Sequence, residues 1–300
     1  MSLHRLYVHD SRPGHRNQLK GLEDAIANEH VSGSAQWLHH SQFKLRHILL
    51  GQSPHLQHKP DVVIACGHRT HLTALRLAAA HRAHSVVVMK PSWPLNSFDS
   101  MILPAHDASD NVSSTRVLLT HGALNTVSLK PYQPAAIGLI ALGGISGHYG
   151  WSSEQVISDI LRIITQNPEL EWSITDSRRT PPGMLDSLRA QLPSTVRLQS
   201  YTEADAGWLA HTMSRAQHIW ITPDSVSMVY EALSSGASVG LLRLPNRANN
   251  RITRAIDHLV AHRQVHYVSE SGQICAPTDH LPRLLEAQRA AQWLLARLSP

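Results

Sequence analysis

A chain of 300 residues with 42% hydrophobic and 16% charged residues can bury its own core, and its composition is not that of a disordered tail. No run of about 18 apolar residues exists to span a membrane, and Gly 16 with Pro 17 excludes collagen-like and low-complexity classes. The 27 Lys+Arg against 22 Asp+Glu leave a net charge of +5, carried mostly by scattered Arg, which suits bidentate contact with phosphate on a small ligand or an anionic lipid surface rather than nucleic acid.

Short Val- and Ile-rich runs alternate with helical patterns, the signature of parallel sheets covered on both faces. In the first half strands are expected at 5–9, 61–66, 85–89, 100–103 and 116–119, with helices at 18–29 and 70–83. Leu129 to Pro134 carries two prolines and no periodicity, so it reads as a linker. The same alternation then restarts, with strands at 137–142, 171–175, 197–198, 218–222 and 238–242 and helices at 154–166, 184–191, 204–216 and 227–234. A final amphipathic pattern covers 281–298. The expected fold is α/β: two Rossmann-like βαβ domains facing a cleft, one over 1–132 and one over 133–300, with the last helix packing back on the first. Ligands in such folds sit at the carboxyl ends of the strands.

The informative loops all follow expected strands. After the first come Asp10, Arg12, Gly14, His15, Asn17 and Gln18, a polar Gly-containing stretch that runs into a helix and so suits an anion. His15 is a candidate general base there, although Arg-Pro-Gly is also a turn sequence and Asn17 a cap residue. His68 and Arg69 follow a second strand, and His106 beside Asp107 follows another as a candidate acid/base pair whose side chains could equally point apart.

In the second half Gly143, Gly144 and Ser146 follow the opening strand, where glycines let a backbone approach a diphosphate. The stretch matches neither a Walker loop nor GxGxxG. Ser177, Arg178, Arg179 and Thr180 end the next strand with groups suited to phosphate oxygens, or form a solvated loop stopped by Pro181-Pro182. Asp224, Ser225, Ser227 and Met228 bring hydroxyls and amides to a helix start, and Glu231 lies about two turns beyond Asp224, where a carboxylate can accept from ribose hydroxyls or merely face solvent.

Six segments in order, DSRPGHRNQLKGL, CGHRT, FDSMILPAHD, GGISGHYGW, TDSRRTP and TPDSVSMVYEALSSGASVGLL, span Asp10 to Leu242. In them the chain resembles the bacterial branch of the family named for the plant mitochondrial fission factor "elongated mitochondria" (Elm), whose bacterial members are regarded as nucleotide-sugar glycosyltransferases. The last segment is also similar to the nucleotide-sugar half of GT-B transferases, notably the peptidoglycan lipid-linked GlcNAc transferase. That resemblance implies a GT-B-like fold, a diphosphate held at Ser225 and Ser227, and a ribose held by Glu231. The first segment is similar to the same enzyme's Gly-rich loop ending in His, which matches Gly14 and His15, except that Arg12-Pro13 stands where further glycines would be.

Three readings follow. The first is a metal-independent, inverting glycosyltransferase that moves a sugar from a nucleoside-diphosphate sugar to a glycan or lipid-linked acceptor, with His15 as base, Asp107 as its rival, and no Asp-x-Asp motif. The second is a nucleotide-sugar epimerase drawing on Asp10, Asp107 and Asp176. The third is a non-catalytic adaptor, the role suggested by plant relatives. Cys66 and Cys275 cannot frame a disulfide scaffold, and residues 1–15 lack a secretory pattern, so a cytoplasmic protein is expected, peripheral at the inner membrane if Arg243, Arg247, Arg251 and Arg254 face anionic lipid. Paired histidines such as His39-His40 lack ligand partners at metal spacing, so no metal and no cofactor are expected.

Overall fold

The computed structural model describes residues 2–43, 56–91, 97–105, 114–205, 207–270 and 283–299. They form two compact units, one of Met1–Leu129 with Leu285–Pro300 and one of Lys130–Leu284. The division thus falls three residues before the expected one, and the chain after Leu284 belongs to the first unit, not the second.

The first unit holds β1 (Arg5–His9), α1 (Pro13–Asn28), β2 (Ala35–His39), β3 (Val62–Cys66), α2 (His71–His81), β4 (His84–Val88), β5 (Ser100–Pro104) and β6 (Val117–Thr120). Its six strands pair in the order β2-β1-β3-β4-β5-β6, all parallel. Strand β2 escapes a sequence reading because AQWLH is an edge strand with one buried residue, Leu38. Helix α1 starts five residues earlier than expected. Apolar periodicity begins only at Leu19, but Pro13 takes the first helical position, where its fixed φ fits and its missing N–H costs nothing.

Helix α8 (Glu286–Leu298) ends the chain. Ala287, Ala290, Ala291 and Leu294 recur on one face and pack with Leu19, Leu22 and Ile26 in the core on one side of the sheet. Leu284 and Leu285, counted in the expected helix, precede it.

The second unit holds β7 (Ala135–Ala141), α3 (Ser153–Gln166), β8 (Glu171–Thr175), α4 (Met184–Arg189), β9 (Arg197–Gln199), α5 (Trp208–Arg215), β10 (Ala216–Ile221), α6 (Val226–Ser235), β11 (Ser238–Leu241), α7 (Arg251–Ala261) and β12 (His266–Tyr267). Its sheet runs β12-β11-β10-β7-β8-β9, again parallel throughout. Helix α7 lies where the sequence reading saw only surface Arg. Thr253, Ala255, Ile256 and Leu259 are buried on one side of it, and the Asn250 side chain caps it by accepting from the amides of Ile252 (2.9 Å) and Thr253 (3.4 Å).

In each sheet the direction of strand addition reverses once, between β1 and β3 in the first unit and between β7 and β10 in the second. Loops leaving two such strands part to opposite sides and open a crevice at their carboxyl ends. Residues 10–12 and Gly67 occupy that place in one unit, and 142–147 with 222–225 in the other. No helix among the described residues is long and apolar enough to cross a membrane.

Candidate functional site

In the first unit β1 delivers Asp10 and the first turn of α1 delivers His15. The His15 Nδ1 lies 2.9 Å from Asp10 Oδ1, with only 14% and 1% of the two side chains exposed. An ionised carboxylate can only accept, so Nδ1 carries a proton, and in the neutral tautomer this fixes, the lone pair is on Nε2. Burial pulls the Asp10 carboxyl up, but the His15 hydrogen bond, the Arg12 amide at 3.2 Å and the neighbouring positive charges outweigh it and hold the carboxyl below its usual range.

Gly67 closes the arrangement. Its φ of +98° is open to glycine, and a Cβ there would stand 2.5 Å from His15 Nδ1 and 2.9 Å from Asp10 Oδ2. Cys66 is buried beside the pair, and burial, followed by the Asp10 charge, pushes its thiol up, so it stays protonated. This arrangement suits abstraction of a proton from a hydroxyl by Nε2.

The remaining first-unit candidates fare differently. Gly14, His15, Asn17 and Gln18 lie on α1, not in a loop, and a Cβ at Gly14 would meet nothing within 4 Å, so no close approach requires that glycine. Asn17 is not a cap; its Oδ1 accepts from Thr126 Oγ1 at 3.4 Å. Gln18 is buried on α1, with its Oε1 unpartnered among the described residues. His68 and Arg69 are exposed on a 3-10 turn directly after Gly67, and Arg12 is exposed with its Nε 3.8 Å from Asp10 Oδ2. His106 and Asp107 lie outside the described residues.

The second unit corrects the glycine reading. The Gly143 amide donates to Thr222 Oγ1 (2.7 Å) and the Gly144 amide to Asp224 Oδ2 (2.9 Å), so both are spent inside the protein. A Cβ at Gly143 would come 2.4 Å from the Asp224 carboxylate, and one at Gly144 1.9 Å from the Arg179 carbonyl. The close approach these glycines permit is between two loops of the chain. Ser177 Oγ donates to the Gly143 carbonyl at 2.8 Å, Thr180 Oγ1 donates to the same carbonyl, and the Ile145 amide donates to Arg179 O at 3.0 Å. Ser146 Oγ accepts from the amides of His148 and Tyr149. Ser177 and Thr180 therefore hold loop to loop, and Ser146 ties its own turn.

Asp224 anchors this junction. Its fully buried side chain also takes Arg179 Nη2 at 2.8 Å, while Oδ1 has no partner among the described residues. Burial outweighs the Gly144 amide, Thr222 and Arg179, and raises the carboxyl above its usual value. Thr222, fully buried, is a site residue the sequence reading passed over.

Helix α6 begins just beyond. Ser225 precedes it with no side-chain cap bond, and the Val229 amide donates to Ser225 O at 3.1 Å to open the intrahelical ladder. The amides of Val226, Ser227 and Met228 are thus the orphan donors at the positive end of a ten-residue helix. Ser227 and Arg178 are exposed, and Met228 and Glu231 half-buried. Among the described residues no group of three or more His, Cys, Asp or Glu is placed to hold a metal ion.

Comparison with known proteins agrees with this architecture. The chain is 23% identical over 343 aligned residues to the uncharacterized protein RP120 of Rickettsia prowazekii (strain Madrid E), covering 95% of this chain and 96% of that one. A candidate UDP-N-acetylglucosamine 2-epimerase from Listeria monocytogenes superposes with a TM-score of 0.59 at 14% identity, covering 100% of this chain and 97% of the other. The UDP-GlcNAc 2-epimerase of Methanocaldococcus jannaschii gives 0.55 at 12% identity, covering 98% and 100%. MnaA of S. aureus, in a co-structure with UDP, gives 0.52 at 15%, covering 99% and 89%. At such identities the likeness shows the fold, two Rossmann-like units of the GT-B kind. The model of the family described as "Mitochondrial fission ELM1" matches residues 13–298, and the chain belongs to that family.

Proposed function

We propose that the protein transfers a glycosyl group from a nucleoside-diphosphate sugar to an acceptor hydroxyl. The Asp10–His15 pair carries this reading. A carboxylate that fixes the imidazole tautomer and stabilises the cation formed on proton transfer is what a general base for a hydroxyl needs. The deprotonated oxygen would attack the anomeric carbon, the bond to the diphosphate would break, and the anomeric configuration would invert.

The leaving diphosphate would sit at the start of α6, on the amides of Val226, Ser227 and Met228 with the hydroxyls of Ser225 and Ser227, and Arg178 would supply charge. Glu231 would accept from the ribose. The unpartnered Asp224 Oδ1 would accept from a donor hydroxyl. The solved MnaA structure with UDP supports a nucleotide of that kind by fold alone.

Epimerisation would need carboxylates around the sugar. Of its candidates, Asp10 is committed to His15 and Asp176 Oδ1 accepts the Tyr201 amide at 2.7 Å. A thermal-shift panel of UDP, GDP, CMP and ADP with their common sugars, on wild type and Glu231→Ala, tests the donor site. A ligand at about a hundred times its Kd adds roughly 2.7 kcal/mol, several degrees for a chain of this size. A shift with one nucleotide, lost in the variant, supports the reading. No shift with any of them overturns it in favour of an adaptor, and product formed from donor alone overturns it in favour of an epimerase.

A further inference from the structure

A cavity of about 410 Å³ in the first unit is lined, among the described residues, by Arg16, Asn17, Lys20 and Trp37. Arg16 and Lys20 stand four apart on α1 and therefore share a face. Lys20 Nζ is shared with Asp24, whereas the Arg16 guanidinium makes no ion pair with a described residue. Two cations side by side on a helix, at the mouth of a concave site, match one phosphate group.

The fourth wall is a fixed aromatic ring. Trp37 stacks on Tyr7 with centroids 4.6 Å apart and planes at 18°. The Tyr7 hydroxyl donates to Glu23 Oε2 at 2.6 Å, and Glu23 is clasped by Arg5 through Nε (2.9 Å) and Nη2 (3.0 Å). The chain Arg5–Glu23–Tyr7–Trp37 orders the indole before anything binds, so little side-chain entropy remains to be lost on contact. An indole face so held packs against the C–H face of a sugar ring or against a planar base.

Two of the lining residues, Arg16 and Trp37, also neighbour His9 at the end of β1. The Arg16 charge is felt by His9, which burial first, and then Arg16 and the nearby His39 and His40, hold below the ordinary imidazole value. His9 immediately precedes Asp10. The Trp37 ring stands 6.2 Å from that of His9 across the β2–β1 pair, so a ring seated on it would lie along the strand that leads into Asp10, which favours an acceptor sugar over a second nucleotide.

We infer that this cavity binds a phosphorylated sugar, its phosphate on Arg16 and Lys20 and its ring on Trp37, and that the acceptor in the transferase reading belongs to this class. The binding claim stands on the cavity; only its role as acceptor rests on that reading.

Calorimetric titration of wild type, Arg16→Gln/Lys20→Gln and Trp37→Leu with N-acetylglucosamine 1-phosphate, N-acetylglucosamine, inorganic phosphate and UMP tests it. The sugar phosphate is expected to bind at least tenfold more tightly than the free sugar or inorganic phosphate. The double variant should lose at least tenfold, and Trp37→Leu should lose affinity for the sugar phosphate without changing that for inorganic phosphate. A parallel flotation assay uses phosphatidylcholine vesicles with and without a polyprenyl-phosphate-linked N-acetylglucosamine. Binding of the soluble ester assigns a free sugar phosphate, and recruitment only to the loaded vesicles assigns a lipid-borne one; either supports the site when lost in the double variant. Inorganic phosphate or UMP binding as tightly as the sugar phosphate, or binding unchanged in the double variant, overturns it. The nucleotide-induced thermal shift of the second unit, measured on the same folded variants, separates failure of this site from failure of the transferase reading.

Discussion

His15 and Asp10 meet at 2.9 Å although one belongs to a helix and the other to a strand end, because the intervening turn is only Ser11 and Arg12 before Pro13 opens α1. Ser11 takes a φ of +64° to make that turn. The pair is thus built into the first crossover of the sheet. Under the transferase reading His15→Gln removes the proton acceptor and should lower kcat by about 10²–10⁴-fold. Asp10→Asn should lower it too, by weakening the hold on Nδ1–H. Steady-state turnover with the donor identified by thermal shift measures both, and an unchanged kcat in His15→Gln would remove His15 from the mechanism.

Gly67→Ala tests the packing around the pair without substituting either member. The alanine must adopt a left-handed φ and displace His15 and Asp10, so a loss of about 1–3 kcal/mol is expected. Urea unfolding measures the stability. Turnover should fall alongside it, since the imidazole is pushed out of line.

Gly144→Ala probes the second unit. Its Cβ would collide with the backbone of Arg179, which cannot swing aside as a side-chain tip can, so a loss of about 3 kcal/mol is expected. The turn at 177–180 and the Asp224–Arg179 contact move with it. The nucleotide-induced shift in Tm should shrink or vanish.

Acid should destabilise the protein before the carboxylates titrate. His71, 1% exposed on α2 with its ring edge-on to Phe98, is held down to about 4 by burial and then by the charges of His68 and His15. Unfolded, it takes its proton near 6.5. Between those values the unfolded chain binds the extra proton, so stability falls as pH drops from 6.5 towards 4, by up to about 3 kcal/mol from this group. Asp10, with its carboxyl held low, adds stability that is lost only at still lower pH. Tm measured from pH 7.5 to 4.5 should fall steeply in wild type and less steeply in His71→Leu; equal slopes would dismiss the role of His71.

The last helix is part of the first core. Leu294 is fully buried in it, and Leu294→Ala should cost about 2–5 kcal/mol. Glu286 anchors the same helix by accepting the His121 amide at 3.0 Å, and Gln288 Nε2 donates to the Ser128 carbonyl at 2.8 Å. Urea unfolding of the variant, followed by far-UV circular dichroism, checks the loss.

The central strands of the first sheet were legible because they are short apolar runs buried on both faces, as in VVIAC of β3. Of the four edge strands, β6 and β9 were expected at 116–119 and 197–198, and β2 and β12 were not. AQWLH of β2 and HY of β12 bury too little to leave a pattern. Helix α7 carries its apolar residues at helical spacing, but arginines at Arg251 and Arg254 on its exposed side masked them. Among site residues, Asp10, His15, Asp224 and Arg179 could be marked from chemistry and from their place after strands. That Asp10 holds His15, and that Asp224 holds Arg179 and the Gly144 amide, could not, because those contacts depend on rotamers and loop crossings.

The amino-acid sequence alone determines that this chain makes two parallel α/β units, since hydrophobic period and turn residues are local properties. It also determines that polar, Gly-containing loops follow the strands. Only the tertiary structure decided the strand order, and with it which loops stand side by side at the two reversals. It also turned the Gly143–Gly144 amides inward, because a buried carboxylate from a loop about eighty residues away must find donors wherever the fold leaves it.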